Sequence, residues 1–412
     1  MASGGAAFFV SGFNVLTSAA KLVPAALVAL LVAGCTSLPS SFRRPPPQPG
    51  HTTLGAPLVV LPAQMLDNYL IVEARWDRSG PYHFLVDTGS SVTLVTPALA
   101  KRFASTNAPL DGLHVRVKSA EGAIAELPPA TLRRIELGEA RFDEVPVLVY
   151  DCAPLTAHLG VKIDGVLGFP LFRDTLLTLD YPRSRVLLQP ANTTALIPGT
   201  SVPLDDSGKT PLIRVRLGDR TLVALVDSGS DAPLSLNPVG LAPRFVNGPR
   251  AGATVGTLTG DRPQQVGRLA ETLGIGDFVL PRPIVDLTDE LSAVGGEILK
   301  NFTVTFDQEH DRVIFFRDAH EPIVSPSHRS AGVSFTKTPA YWRVAGVVPG
   351  SPAETAGVQP GDLVTRINGE PLAKWDLIRF EQLVATADEI AFTFLNGTAE
   401  SEKRVRVFEL VP

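Results

Sequence analysis

Residues 84–95 read FLVDTGSSVTLV, and residues 224–236 read ALVDSGSDAPLSL. Each stretch sets an aspartate, Asp87 in the first and Asp227 in the second, at the end of an apolar run. A hydroxyl residue and a glycine follow in both. Burying a carboxylate is costly unless it is paired or hydrogen-bonded. Two carboxylates held close together cannot both ionise comfortably, so they share a proton. Such a pair can run hydrolysis with water as nucleophile. The ionised member takes a proton from the water, and the protonated member polarises the carbonyl under attack. The pair titrates as a unit, so neither role is assigned to one aspartate alone. A single Asp-Thr-Gly reads equally well as a turn at a strand end, and the surrounding sequence has to decide.

The surroundings repeat. YLIVEARWDRSGPYHFLV precedes Asp87 and PLIRVRLGDRTLVALV precedes Asp227, each a strand, a glycine-containing turn and a second strand. In the second copy Ile213, Val215 and Leu217 alternate with Arg214 and Arg216, the period of a strand with one buried face. Downstream, IELGEARFDEVPVLV (135–149) corresponds to TLGIGDFVLPRPIV (272–285). GFPLFRDTLLTLDYPRSRVLL, from Gly168, corresponds to GEILKNFTVTFDQEHDRVIFF when Gly168 is matched to Gly295. The same landmarks recur in the same order, which marks an internal duplication.

On FLVDTGSS with DGVLGFPLF, and ALVDSGS with VGGEILKNF, the two copies resemble retropepsin-like aspartic protease lobes fused in tandem. The resemblance implies a mainly β fold, two β-barrel lobes (55–190 and 200–318) forming a pseudo-dimer. It also implies an aspartic endopeptidase acting on polypeptide, with Asp87 and Asp227 as the catalytic dyad. Thr88 and Ser228 would bond across the lobe interface. Gly89 and Gly229 would let the backbone turn tightly. The hydroxyls of Ser90 and Ser230 would reach the outer carboxylate oxygens. Gly168 and Gly295 would sit where a second segment packs beneath each catalytic turn. Flap hairpins are expected at 112–127, tipped by Glu121-Gly122, and at 250–263. Asp231 stands where the family has an apolar residue; it tunes the dyad by like charge or faces solvent. A degenerate second lobe would instead give a peptide-binding adaptor.

Whole-chain composition is compatible with this. The 412 residues suggest two to four domains. Hydrophobic content of 44% against 19% charged residues allows a packed core, and 35 Gly with 36 Pro favour short strands and turns. A net charge of −5 with no basic block argues against nucleic acid. Two cysteines and seven scattered histidines show no metal-ligand spacing, so neither metal nor other cofactor is expected.

The two ends carry further signals. Residues 22–34, LVPAALVALLVAG, precede Cys35. The run is short for a membrane span, and Val32-Ala33-Gly34-Cys35 resembles a bacterial lipobox. That implies a signal peptide over 1–34, lipidation of Cys35, and an anchor in the outer membrane facing the periplasm; the other reading, since residues 5–34 are largely apolar, is an uncleaved anchor helix. Cys152 is then unpaired and no disulfide forms. A Pro-rich tether over 35–54 would follow. At the other end, VVPGSPAETAG and PGDLVTRINGEPL resemble a PDZ domain over 330–412. Ser351-Pro352-Ala353-Glu354 is a capping box with proline at the first helical position, and Asn368-Gly369 is a hairpin-type turn. Leu377, Phe380 and Val384 form one apolar stripe. The resemblance implies a groove that takes a peptide C-terminus as an added strand, with TPAYWRV cradling its carboxylate.

Overall fold

The computed structural model describes residues 8–9, 14–15, 50–76, 79–105, 114–119, 123–193, 196–257, 260–319, 321–338 and 340–412, with 8–9, 14–15, 253–257 and 260–262 as backbone only. The chain is mainly β, built from two related barrels and a smaller C-terminal module. In the first barrel, six strands close a ring: Tyr69–Trp76, Ser79–Asp87, Gly165–Gly168, Thr93–Val95, Ala140–Val149 and Pro129–Leu137, which returns to the first. Closure leaves no strand edge among the six, and the apolar sides face inward. Residues Phe84, Leu85 and Val86, which lead into Asp87, have no solvent exposure.

The second barrel repeats the ring with Leu212–Leu217, Arg220–Val226, Ala293–Val294, Leu234–Leu236, Ile284–Leu287 and Gly260–Leu269. Here the last side is broken: Gly260–Leu269 is followed by Thr272–Ile275, and it is that shorter strand that pairs with Leu212–Leu217.

A six-stranded antiparallel sheet joins the barrels in the order Val59–Leu66, Arg185–Pro190, Thr175–Asp180, Thr303–Asp307, Arg312–Phe316, Thr200–Asp205. Its central pair crosses the duplication. Thr178 faces Thr305, a residue 127 positions away, and their buried hydroxyls lie 2.9 Å apart. Phe169 and Phe306 pack edge to face across the seam, ring centroids 5.4 Å apart. Such a pair contributes about 0.5–1.5 kcal/mol beyond the area it buries.

Two hairpins project from the barrels. Val115–Lys118 pairs with Ile124–Leu127, inside the expected first flap, whose Glu121-Gly122 tip lies outside the described residues. The second hairpin, Phe245–Thr257 with Gly260–Leu269, is far longer than the expected 250–263 and is interrupted by register shifts. Its base strand continues into the barrel wall, which is why the sequence offered no boundary there. Two short strands, Phe8–Phe9 and Asn14–Val15, pair with 256–257 and 117–118 respectively. The rest of the expected signal peptide, Cys35 included, lies outside the described residues. Residues 51–54, assigned by sequence to the tether, instead form a strand against 140–143. Cys152 is free and buried, and burial pushes its thiol up to about 12.

The C-terminal module has its own core and a sheet ordered Val333–Lys337, Trp342–Val347, Leu363–Ile367, Glu389–Asn396, Ala399–Arg406. Ser351 caps its short helix by accepting from the Glu354 N–H at 3.2 Å, and Asn368-Gly369 both adopt positive φ, as the hairpin turn requires. Phe380 on helix Leu377–Thr386 packs on Phe335 and Trp342. The carboxylate-cradle assignment is corrected here. Trp342–Val347 has partners on both sides, so no peptide strand can add there; its neighbour Val333–Lys337 has one partner and an open edge. Of TPAYWRV, Thr338 and Tyr341 follow that edge strand, and Trp342, Arg343 and Val344 belong to the next one; the segment entering the edge strand is Ser330-Ala331-Gly332. The module rests on the barrels through Val348, Leu410 and Val411 against Val266 and Ile284.

Candidate active site

Asp87 ends strand Ser79–Asp87, and Asp227 directly follows strand Arg220–Val226. Each leading strand is held by a parallel neighbour, in register Asp87 with Gly168 and Val226 with Val294. The barrel interior therefore delivers both carboxylates, with zero exposure, to one point on the seam. There the two turns interlock. The Thr88 N–H donates to Ser228 Oγ at 2.9 Å, and the Ser228 N–H to Thr88 Oγ1 at 3.0 Å. Thr88 Oγ1 donates to the Val226 carbonyl at 2.6 Å, and Ser228 Oγ to the Val86 carbonyl at 2.8 Å. All four bonds are buried and related by the duplication.

The glycines make this approach possible. A Cβ on Gly89 would lie 2.7 Å from Asp227 Cγ, and one on Gly229 would lie 2.7 Å from Asp87 Oδ2. Each aspartate thus sits in the space left by the other turn's missing side chain. The two carboxyl groups therefore lie close enough for the charge of Asp227 to oppose ionisation of Asp87. Gly168 and Gly295 close the arrangement beneath: a Cβ on Gly168 would lie 3.1 Å from the Ser90 carbonyl, and one on Gly295 would lie 3.0 Å from Ser230 Oγ.

One expected detail differs. The outer-oxygen role given to the Ser90 hydroxyl is not what the structure holds: Ser90 Oγ donates to the Val92 carbonyl at 2.8 Å, and it is the Ser90 backbone N–H that reaches Asp87 Oδ1, at 3.0 Å. Ser230 Oγ likewise accepts from the Ala232 N–H at 3.3 Å, while Asp227 Oδ1 accepts from the Gly229 N–H at 2.9 Å. The tight turn brings amides close to the carboxylates, so the hydroxyls are left to cap the turn itself.

A family model described as "Aspartyl protease" matches residues 72–171, a span holding Asp87 and Gly168. The chain carries an aspartyl protease domain. A second model, "PDZ domain", matches residues 343–393, so the C-terminal module is a PDZ domain. Among solved structures, a crystal structure of a PDZ domain protein from Parabacteroides distasonis ATCC 8503 at 2.50 Å resolution is similar at 20% identity and a TM-score of 0.19. That match spans 20% of this chain and 21% of the other. No curated protein matches the chain.

The electrostatics of the protease domain follow from burial. Desolvation, and then the Asp227 carboxylate alongside, push the Asp87 carboxyl well above the ordinary carboxylate range; amides of Gly89 and Ser90 pull the other way. The Tyr181 ring is buried close by, and burial followed by the charges of Asp227 and Asp87 raises its hydroxyl strongly. The raised Asp87 pKa has a consequence for stability. Above about pH 4 the unfolded chain has released a proton that the folded pair still holds. The unfolded state then binds fewer protons, so stability falls as pH rises until the folded pKa is passed. The slope is about 1.4 kcal/mol per pH unit for one retained proton. Denaturation midpoints should therefore decline as pH rises above about 4, and Asp87→Asn should remove that much of the slope. Parallel profiles for the two proteins would exclude a shared proton.

Sequence reasoning left Asp231 between two roles, and the structure buries it at 8% exposure rather than facing solvent. It lies beside Asp67, a residue the sequence did not single out. Burial, then the Asp67 charge, push the Asp231 carboxyl well above its ordinary range. Asp67 and Asn68 form the turn after strand Val59–Leu66, both at positive φ. Asn68 Nδ2 donates to the Asp231 carbonyl and to Glu297 Oε2, each at 3.1 Å. The turn of the first barrel is thereby fixed onto the Asp227 turn of the second. Behind them the PDZ residue Lys337, buried, donates from Nζ to the His158 carbonyl at 2.9 Å.

Proposed function

We propose that the chain is an aspartic endopeptidase of the bacterial envelope, with Asp87 and Asp227 as a shared-proton dyad. The observation that carries this reading is the meeting of two buried carboxyl groups, one from each barrel, each packed against the other's glycine. A water placed between them would lose a proton to the ionised carboxylate as it attacks. The protonated partner would polarise the scissile carbonyl, and the proton would then pass to the leaving amine. The fixed amides at Asp87 Oδ1 and Asp227 Oδ1 orient the carboxylates before substrate arrives. The two hairpins would close over an extended polypeptide and exclude bulk water.

The PDZ domain would recruit substrate or partner chains through their C-termini, added at strand Val333–Lys337. The run before Cys35 supports lipidation of that residue and an outer-membrane anchor. Cys35→Ser should shift the protein from the membrane to the soluble fraction; unchanged fractionation excludes the anchor. A second reading is a peptide-binding adaptor, favoured by a family match that ends at residue 171, before the second barrel. Incubating the full chain with a peptide library across pH separates the two. Turnover supports the peptidase, and saturable binding without turnover supports the adaptor.

A further inference from the structure

We propose that Asp67, His158 and Asp231 form a binding site for a divalent transition cation, zinc foremost, that clamps the two barrels together behind the catalytic turn. The site goes beyond the peptidase reading and does not depend on it.

The three residues come from three separate segments: the turn after Val59–Leu66, the last turn of helix Ala153–Leu159, and the stretch four residues past Asp227. They offer one imidazole nitrogen and two carboxylate oxygens, and these ligand atoms all lie within 4.8 Å of one another. Around a metal at about 2.0–2.2 Å from each ligand the same atoms would sit nearer about 3.5 Å apart, a change within reach of small side-chain rotations. Asp231 is more than nine-tenths buried, yet its Oδ1 has no hydrogen-bond partner. A buried carboxylate oxygen left in that state is expensive, and a cation is its natural complement. One nitrogen with two carboxylate oxygens is a donor set that zinc accepts readily, usually with water in the remaining position.

The setting supplies room for that water. A cavity of about 60 Å³ adjoins the carboxylates, lined among others by Asp67, Asp231, Gln264, Asp286 and His328. Two of the three residues are also held at their main chain. Asn68 bonds the backbone of Asp231, and Lys337 bonds the carbonyl of His158. These bonds fix the backbone from which the two side chains reach the site. The Lys337 ammonium faces the same carboxylates from the PDZ side, but its hydrogen bond goes to the His158 carbonyl.

The test uses the full untagged chain, stripped with chelator and dialysed. Titration with zinc chloride should give one ion per chain and raise the melting temperature. Cobalt(II) in its place should produce visible absorption of a low-coordinate nitrogen–oxygen site. Asp231→Asn and Asp67→Asn should each weaken zinc binding by about 100-fold or more. If either fails to fold, His158→Gln supplies the comparison. A wild-type chain that takes up no zinc and gains no thermal stability overturns the proposal; so does undiminished stoichiometric binding in folded variants. All readouts are metal content, spectra and melting, so they succeed or fail independently of any peptide cleavage.

Discussion

Asp227→Asn should lower kcat/KM for peptide cleavage by about 10³–10⁴-fold, and Asp87→Asn should do the same. Asparagine keeps the shape of the side chain and retains an oxygen for the amides that hold each Oδ1. What it removes is the ability to exchange the shared proton. Because the two groups act as one unit, the double variant should be little slower than either single one. Neither substitution should unfold the chain, since each relieves two buried carboxyl groups of competition for charge. Steady-state cleavage of a fluorogenic peptide, beside denaturation of the same samples, reads both effects. A folded Asp227→Asn protein with undiminished turnover would remove the second barrel from the chemistry.

The second large effect concerns the interlock beneath the dyad. Ser228→Ala removes a donor to the Val86 carbonyl and an acceptor for the Thr88 N–H, leaving two buried backbone groups without partners. Thr88→Ala does the mirror-image damage at Val226 and Ser228. At about 1–3 kcal/mol for each orphaned group, either change should destabilise by roughly 2–6 kcal/mol. Thr88→Ser keeps the hydroxyl and should cost far less. The two alanine effects should not add, because Thr88 and Ser228 bond each other directly, and a double-mutant cycle should return a coupling of order 1–3 kcal/mol. A loss below about 1 kcal/mol in Ser228→Ala would mean that the barrels are held by the seam sheet alone.

The parts legible in sequence were those encoded locally and then repeated. The apolar approach to Asp87 and Asp227, the glycines after them and the capping box at Ser351 each follow from short-range rules about strands, turns and helix starts. Their pairing followed because the duplication supplied both halves. What stayed hidden depends on distant segments. Asp67-Asn68 reads as an ordinary turn, and nothing near it in the chain says that it docks onto Asp231, 163 positions past Asn68. The turn toward backbone of the Ser90 and Ser230 hydroxyls depends on how tightly the main chain closes, which residue types do not specify. Which strand of the PDZ domain keeps an open edge beside helix Leu377–Thr386 depends on which strands gain two partners, a property of the sheet and not of any one strand.

The unequal hairpins have a meaning of their own. In an assembly of two identical chains both covers of the cleft come from one gene segment and must match. Here one is built from Val115–Lys118 and Ile124–Leu127, the other from the much longer Phe245–Thr257 and Gly260–Leu269. A polypeptide has a direction, and the halves of it that flank a bond under attack are chemically distinct. If the proposed cleft takes polypeptide, barrels joined in one chain would let each half of it differ, so that one side could be selective while the other stays permissive. On the proposed peptidase reading, that inequality of loop length would let the cleft tell one end of its guest from the other.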